Sequence, residues 1–329
     1  MGRIHVVAGI VEDAHGRVLV AERPVGSSKA GFWEFPGGKL TTGESRFTGL
    51  VREFTEELGI FVSGARPLIR YLHHQEEFGI DLDIWRVTEW TGQPRGIEGQ
   101  RIGWYLPQEL PDIGLLPADT PVLSALSLPA LVAITPSQPP GGLEQLCDQA
   151  EEIALRREGG ILVLRLTGFA HVSALEVAST MAYRLEGSTF RVLLHGDPHT
   201  VGRDLTSPPE PFLPRLSEVV AGLHSPARFV MKLEERPLPR SFLFGVSCHD
   251  ATELSKALRV GADYAFLGPV KETASHPGQP GMGWEGFEAL VRELPLPVYA
   301  IGGLGPEDLE TAWQHGAQGI AAIRSLWPG

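Results

Sequence analysis

The rhythm of apolar and polar positions divides the chain in two. In the first third, His5 to Val11 and Val18 to Ala21 are apolar, β-branched runs on either side of Asp13-Ala14-His15-Gly16, which predicts two strands joined as a hairpin. Leu68 to Leu72 and Asp81 to Val87 read as further strands, the second alternating Leu82, Ile84 and Val87 with polar neighbours. Between them Phe47, Leu50, Val51, Phe54 and Leu58 recur at helical spacing, so a helix is expected over Ser45 to Leu58 with Gly59 as its stop. Another helix is expected over Ala118 to Leu126.

From Pro129 onward, short apolar strands alternate with amphipathic helices. The expected strands are Leu131 to Ile134, Ile161 to Leu166, Arg191 to Leu194, Val219 to Leu223, Phe242 to Val246, Tyr264 to Leu267, Val298 to Ile301 and Gly319 to Ile323. Eight such units predict a small (β/α)8 barrel, interrupted by the Pro-rich stretch Thr206 to Pro214. The fold class is therefore α/β, with residues 1–128 and 129–329 as two domains.

Composition narrows the function classes. With 43% hydrophobic and 21% charged residues the chain is globular in character, and 28 basic against 40 acidic side chains leave a formal charge of −12. That is the wrong sign for a nucleic-acid polymer as partner. Cys147 and Cys248 stand far apart with no CxxC pair, which removes a disulfide framework and a zinc knuckle and fits a reducing cytoplasm. No apolar leader core and no run of 18 apolar residues is read, so no membrane partner is expected.

The densest chemistry is Gly38-Lys39-Leu40-Thr41-Thr42-Gly43-Glu44, seven further residues, then Arg52-Glu53-Phe54-Thr55-Glu56-Glu57-Leu58-Gly59-Ile60. On a helix, Glu53 and Glu57 share a face and Glu56 lies beside them, so three carboxylates crowd a short arc. Such a trio is either a solvated face or a cluster awaiting a cation. Hard oxygen donors in this number suit Mg2+, with Mn2+ as the alternative, and a diphosphate beside it. Gly37 and Gly38 permit close backbone approach, Arg52 is placed to orient the carboxylates, and Glu44 to steady the loop.

This pattern fills every position of the Nudix box, and residues 1–127 resemble the MutT kind of Nudix hydrolase. Val7-Ala8-Gly9-Ile10, Glu34-Phe35-Pro36-Gly37-Gly38-Lys39, Glu98-Gly99-Gln100 and Pro117-Ala118-Asp119-Thr120-Pro121 carry the narrower likeness. The resemblance implies an α/β/α sandwich with a mixed sheet, and water attack on the β-phosphorus of a nucleoside triphosphate such as 8-oxo-dGTP. It implies metal ligation by Gly37, Glu53, Glu56, Glu57 and Glu98, with either Glu53 or Glu98 assisting water deprotonation and Arg52 beside them. Arg23, Phe35, Gly38, Lys39 and Asp119 fall where the family holds its nucleotide substrate, Phe35 packing on the base and Arg23 donating to it. Structural alternatives stand beside these: Phe35 as core, and Asp119 as the cap of the helix that follows it.

Residues 129–329 resemble the small barrels of thiamine phosphate synthase and TenI, through Gly245-Val246-Ser247-Cys248-His249, Gly268-Pro269-Val270 with Thr273, and Ala300-Ile301-Gly302-Gly303. The likeness implies a phosphorylated metabolite held near Gly302, Gly303 and the turn at Ser325, with Arg165, Ser247, His249 and Thr273 as the other site candidates. His249 is the candidate proton shuttle of a TenI-like tautomerase, or else a capping residue. The chain departs from a working synthase at His195-Gly196-Asp197, at Gly222-Leu223-His224-Ser225-Pro226, at Ser275-His276 and after Arg165, where metal ligands and cations for pyrophosphate are expected. The barrel therefore reads as degenerate for synthase chemistry. A thiamine-pathway diphosphate as Nudix substrate, and a sensing role for the barrel, stand as rivals.

Overall fold

The computed structural model describes residues 2–75, 78–136, 141–156, 159–165, 174–201, 220–273, 278 and 280–327. Leu166, Thr206 to Pro214, Val219 and Ser275-His276, all named above, lie outside the described residues. The chain forms two compact units, residues 1–127 with 291–297 and residues 128–290 with 298–329.

In the first unit β1 (Gly2–Ile10) is the axis. It pairs parallel with β6 (Phe78–Thr91) and antiparallel with β4 (Gly37–Lys39), while β5 (Phe61–His74) runs antiparallel to β6, giving a mixed sheet ordered β4-β1-β6-β5. A second sheet holds β3 (Trp33–Glu34), β2 (Val18–Glu22) and β7 (Ile102–Tyr105). The expected hairpin is corrected here. The turn at Asp13 to Gly16 forms, but β1 and β2 enter different sheets and are tied through a bridge at Glu12–Val18 and the backbone bonds from Leu19 to Val11 and from Asp13 to Arg17. The chain twists apart after the turn, which a local turn signal cannot report.

Alternation along β1 sets the layers. Val7 and Val11 pack with Leu50, Phe54 and Leu58 of helix α1 (Arg46–Leu58), whereas Ala8 and Ile10 pack with Val122 and Ala125 of helix α2 (Thr120–Ser127). A Cβ at Gly9 would lie 2.6 Å from the Phe54 ring, so the glycine admits that ring against the sheet. Helix α1 begins where Ser45 accepts from the Thr48 N–H and ends at Gly59, whose φ of 68° closes the helix with bonds back to Phe54 and Thr55.

The second unit is a closed parallel barrel of eight strands in sequential order: β8 (Leu131–Ile134), β9 (Gly160–Leu164), β10 (Phe190–His195), β11 (Gly222–Pro226), β12 (Leu243–Cys248), β13 (Tyr264–Leu267), β14 (Val298–Ile301) and β15 (Gly319–Ala322). Helices α3 (Gly142–Leu155) and α4 (Ala174–Arg184) lie among the strands in sequence. After β11 the chain makes the short helix Ala227–Val230 before β12. Val132, Ile161, Val163, Leu193, Tyr264, Phe266 and Tyr299 fill the interior.

Candidate functional site

The polar face of α1 is organised by one arginine. Arg52 Nε donates to Glu44 Oε1 at 2.9 Å, Nη2 donates to Glu44 Oε2 at 2.9 Å and to the Lys39 carbonyl at 3.1 Å, and Nη1 donates to Glu53 at 2.8 Å and Glu56 at 3.0 Å. A planar guanidinium supplies this fork, which an ammonium does not. Glu44 also accepts from the Thr41 amide and hydroxyl, and the Arg52 bonds first, then the Thr41 amide, hold its carboxyl down to about 2. The 38–44 loop is thereby latched to the helix.

Glu53 is buried, and β4 makes room for it. A Cβ at Gly38 would sit 2.5 Å from its carboxylate, and one at Gly37, whose φ is 149°, would sit 2.2 Å from the Val7 carbonyl. Glu57 accepts from the Gly37 N–H at 3.2 Å. Its carboxyl is pushed up to about 7, chiefly by burial and then by the charges of Glu53, Glu98 and Glu34. Glu98 is exposed in a loop stitched to the end of α1, where Ile97 N–H and Gln100 Nε2 both donate to the Glu57 carbonyl.

Among the described residues, no three acidic, histidine or cysteine side chains converge as they stand on one ion position. Arg52 draws Glu53 and Glu56 to itself while Glu57 turns to Gly37. The donor set nonetheless fits a hard divalent cation. Glu53, Glu56, Glu57, Glu98 and the Gly37 carbonyl offer only oxygen, and the Glu57 carboxyl, raised chiefly by burial, is raised further by the charges of Glu53, Glu98 and Glu34.

A second group forms beside it. Arg23 donates to Glu34 at 2.5 Å and to the Ser28 carbonyl at 2.7 Å. Asp119 is 5% exposed and accepts from the Phe35 N–H; burial first, then the Glu34 charge, pushes its carboxyl up to about 7. Asp119 lies inside a short 3-10 turn, Pro117–Asp119, that runs into α2, so its carboxyl faces Phe35 rather than capping the helix. Phe35 as a stacking surface is corrected: its ring is 3% exposed and belongs to the core with Ile10, Val20 and Trp33. What faces the group is its neighbour Glu34, which sequence reading passed over; alternation at the end of β3 is the signal that turns Glu34 away from the core side Phe35 occupies. Lys39 is exposed, and its carbonyl serves the Arg52 fork.

Residues 7–125 match the NUDIX domain. Over 127 residues the chain is 41% identical to the CTP pyrophosphohydrolase of Escherichia coli (strain K12), a match covering 38% of this chain and 92% of that protein. The chain belongs to the Nudix family. It is also 39% identical over 105 residues to the 8-oxo-dGTP diphosphatase of Proteus vulgaris, covering 32% of this chain and 94% of that one. These Nudix relatives are enzymes that act on diphosphate bonds, and the carboxylate face of α1 is where the Nudix box of this chain lies.

Residues 216–326 match thiamine monophosphate synthase. Identity to the thiamine-phosphate synthase of Thermosynechococcus vestitus is 33% over 96 residues, 29% of this chain and 27% of that protein, so the chain spans about a quarter of that relative's length. At the C-terminal ends of the barrel strands, Thr273, Gly302, Gly303, Arg324 and Ser325 line a cavity of about 330 Å3. Gly302 and Gly303 have φ of 101° and 68°, and a Cβ on Gly302 would meet Pro269 at 2.6 Å. Arg165 donates its N–H to Thr135 Oγ1 at 2.7 Å. The ring of His249, the candidate proton shuttle, is 65% exposed and bonded to Glu253 at 2.9 Å, while Asp250 caps the following helix, Ala251–Arg259. Ser247 instead meets His224.

Among the described residues no helix is long and apolar enough to cross a membrane.

Proposed function

We propose that the first unit hydrolyses a nucleoside triphosphate to the monophosphate and pyrophosphate, with 8-oxo-dGTP as the substrate read best, in the cytoplasm. The observation that carries this reading is the carboxylate cluster on α1, bound by Arg52 and facing the Gly37–Gly38 strand. Mg2+, or Mn2+ in its place, would be held by Glu53, Glu56, Glu57, Glu98 and the Gly37 carbonyl, supplying charge for the diphosphate oxygens. Either Glu53 or Glu98 accepts the proton of the attacking water, and the bond from the β-phosphorus to the bridging oxygen breaks toward the monophosphate. Arg52 keeps Glu53 aimed while this occurs. Asp119, whose carboxyl is raised to about 7, both donates and accepts in its protonated form, which suits the N7–H and O6 of an 8-oxopurine, while Arg23 and Glu34 complete the base contacts.

A second reading rests on Glu34 and Asp119 together. Two carboxyl groups beside one arginine also suit a base that presents an exocyclic amine, as cytosine does, and one relative is a CTP pyrophosphohydrolase. For the barrel we infer a phosphorylated metabolite in the cavity at Gly302 and Gly303, from the positive-φ glycines that line it and leave its backbone open to close approach.

Hydrolysis of 8-oxo-dGTP, dGTP and CTP by the intact chain, with product analysis, separates the readings. Glu53→Gln should lower kcat by several orders of magnitude with the far-ultraviolet spectrum unchanged. Near-normal turnover in that variant would overturn the assignment.

A further inference from the structure

The helix that carries three of the carboxylates ends against the loop that carries Glu98. An α-helix leaves its last carbonyls without partners of its own. Near the end of α1 the Thr55 and Phe54 carbonyls accept from the Gly59 and Ile60 amides at 3.2 and 3.3 Å. The Glu57 and Leu58 carbonyls are served by a separate part of the chain. Arg95 N–H donates to Leu58 at 3.0 Å, while Ile97 N–H and Gln100 Nε2 both donate to Glu57 at 3.0 Å.

The two donors to Glu57 stand on either side of Glu98, Ile97 just before it and Gln100 two residues after. The segment between them is a tight turn. Gly99, with φ of 82°, donates its N–H to the Gly96 carbonyl at 3.3 Å, and a Cβ on Gly96 would lie 1.9 Å from the Gln100 carbonyl. Ile97 in turn lies over the end of the helix, where a Cβ on Gly59 would come within 2.8 Å of its Cδ1. Glu98 therefore projects from a turn whose backbone is fastened to α1, and its charge reaches the Glu57 carboxyl, which it helps to raise.

Of these donors Gln100 alone is a side chain, so it is the one that residue type decides. A carbonyl accepts only from a donor. A carboxylate of the same size would set acceptor against acceptor, and an apolar side chain would leave the Glu57 carbonyl to Ile97. Gln100 Oε1 is buried and, among the described residues, accepts no hydrogen bond. A buried oxygen without a donor is a cost, and the Nε2 bond is what the side chain gains by staying inside.

We propose that Gln100 is a positioning residue for Glu98. Holding the Glu57 carbonyl from one side of the turn while Ile97 holds it from the other, it joins residues 95–100 and the last turn of α1 into one piece. Glu98 is thereby presented to a divalent cation at a fixed reach from Glu53, Glu56 and Glu57, instead of being recruited from a free loop. The inference rests on the reading of Glu98 as a metal ligand, and the experiment separates the two.

Mn2+ binding to the intact chain without nucleotide is measured by electron paramagnetic resonance of the free ion. The proteins are wild type, Glu98→Gln, Gln100→Met and the double variant. Gln100→Asn, which keeps the amide but shortens its reach, replaces Gln100→Met if that variant fails to fold. Each single variant should weaken Mn2+ binding by about tenfold, in the range found for groups that orient a ligand. The double variant should bind no more weakly than Glu98→Gln alone, because the effect of Gln100 passes through Glu98. The Ile97 amide should also exchange with solvent deuterium faster once Gln100 is replaced. Undiminished Mn2+ binding in a folded Gln100 variant, losses that add in the double variant, or an Ile97 amide that exchanges no faster overturns the role of Gln100. Undiminished binding in Glu98→Gln overturns Glu98 as a ligand, and the proposal with it.

Discussion

On α1 the functional groups are charged and partly open to solvent, while the His224 cluster inside the barrel is neutral and enclosed. Arg52 faces Glu44, Glu53 and Glu56, with Glu57 and Glu98 near by, so one positive charge serves an acidic group that outnumbers it. His224 has its two nitrogens satisfied by two hydroxyls and keeps no charge. The first arrangement is completed by a counter-ion, because a carboxylate cluster is relieved only by positive charge. The second needs no counter-ion, because a neutral hydrogen-bonded cluster has nothing to neutralise.

The sharpest way to break this contrast is to remove the fork that gathers the carboxylates. Arg52→Gln, and equally Arg52→Lys, should lower kcat/KM by about a hundredfold and raise the Mg2+ concentration for half-activity, since positioning partners of metal ligands act on both. A lysine variant that keeps most of the activity would show that charge alone, without the planar fork, suffices. In the barrel the corresponding lever is steric. Gly245→Ala should cost about 1–3 kcal/mol in urea unfolding of the intact chain, because the added methyl meets the buried Tyr264 and His224 rings. It should leave nucleotide hydrolysis unchanged. An unaltered unfolding midpoint would mean that the rings move aside freely and that the chain of hydrogen bonds is not rigid.

The same contrast explains what could be read from the sequence. Helix α1 was legible because everything that defines it is local: the Ser45 cap, the apolar stripe through Leu50, Phe54 and Leu58, and the stop at Gly59. The barrel strands were legible as apolar runs bounded by turns, though β11 lies a few residues later than its pattern indicates. Glu34 escaped notice because its meaning depends on Arg23 and Asp119, which the fold brings from either side. His224 stood out only as a departure from a family pattern, since Ser247 and Tyr264, 23 and 40 residues away, become its neighbours only when the barrel closes. Phe35 was the converse case, a residue whose family role pointed to the substrate and whose burial points to the core.

The effect confined to one pH window, and the one that brings the two regions closest in kind, concerns Asp119, the buried neutralisable group on the Nudix side. Its folded carboxyl is raised from an ordinary 3.8 to about 7, by burial above all. Below pH 4 both the folded and the unfolded chain hold this proton, and Asp119 costs nothing. Between pH 4 and 7 the unfolded chain releases it while the folded chain retains it, so wild-type stability declines as pH rises, and above pH 7 the loss is complete. Asp119→Asn carries no such charge. The variant should therefore gain on wild type from pH 4 to pH 7, reaching about 4 kcal/mol at pH 8, and the gap should vanish in acid. Selectivity should follow the same titration. A protonated Asp119 pairs with both N7–H and O6 of the oxidised base, and an ionised one pairs with the first alone, so wild-type preference for 8-oxo-dGTP over dGTP should fall above pH 7 while that of Asp119→Asn stays level. Measuring kcat/KM for both nucleotides and the unfolding free energy across this range checks the two statements separately. If stability follows the predicted curve but selectivity is flat in both proteins, Asp119 is a buried carboxyl of the fold and not the group that reads the base.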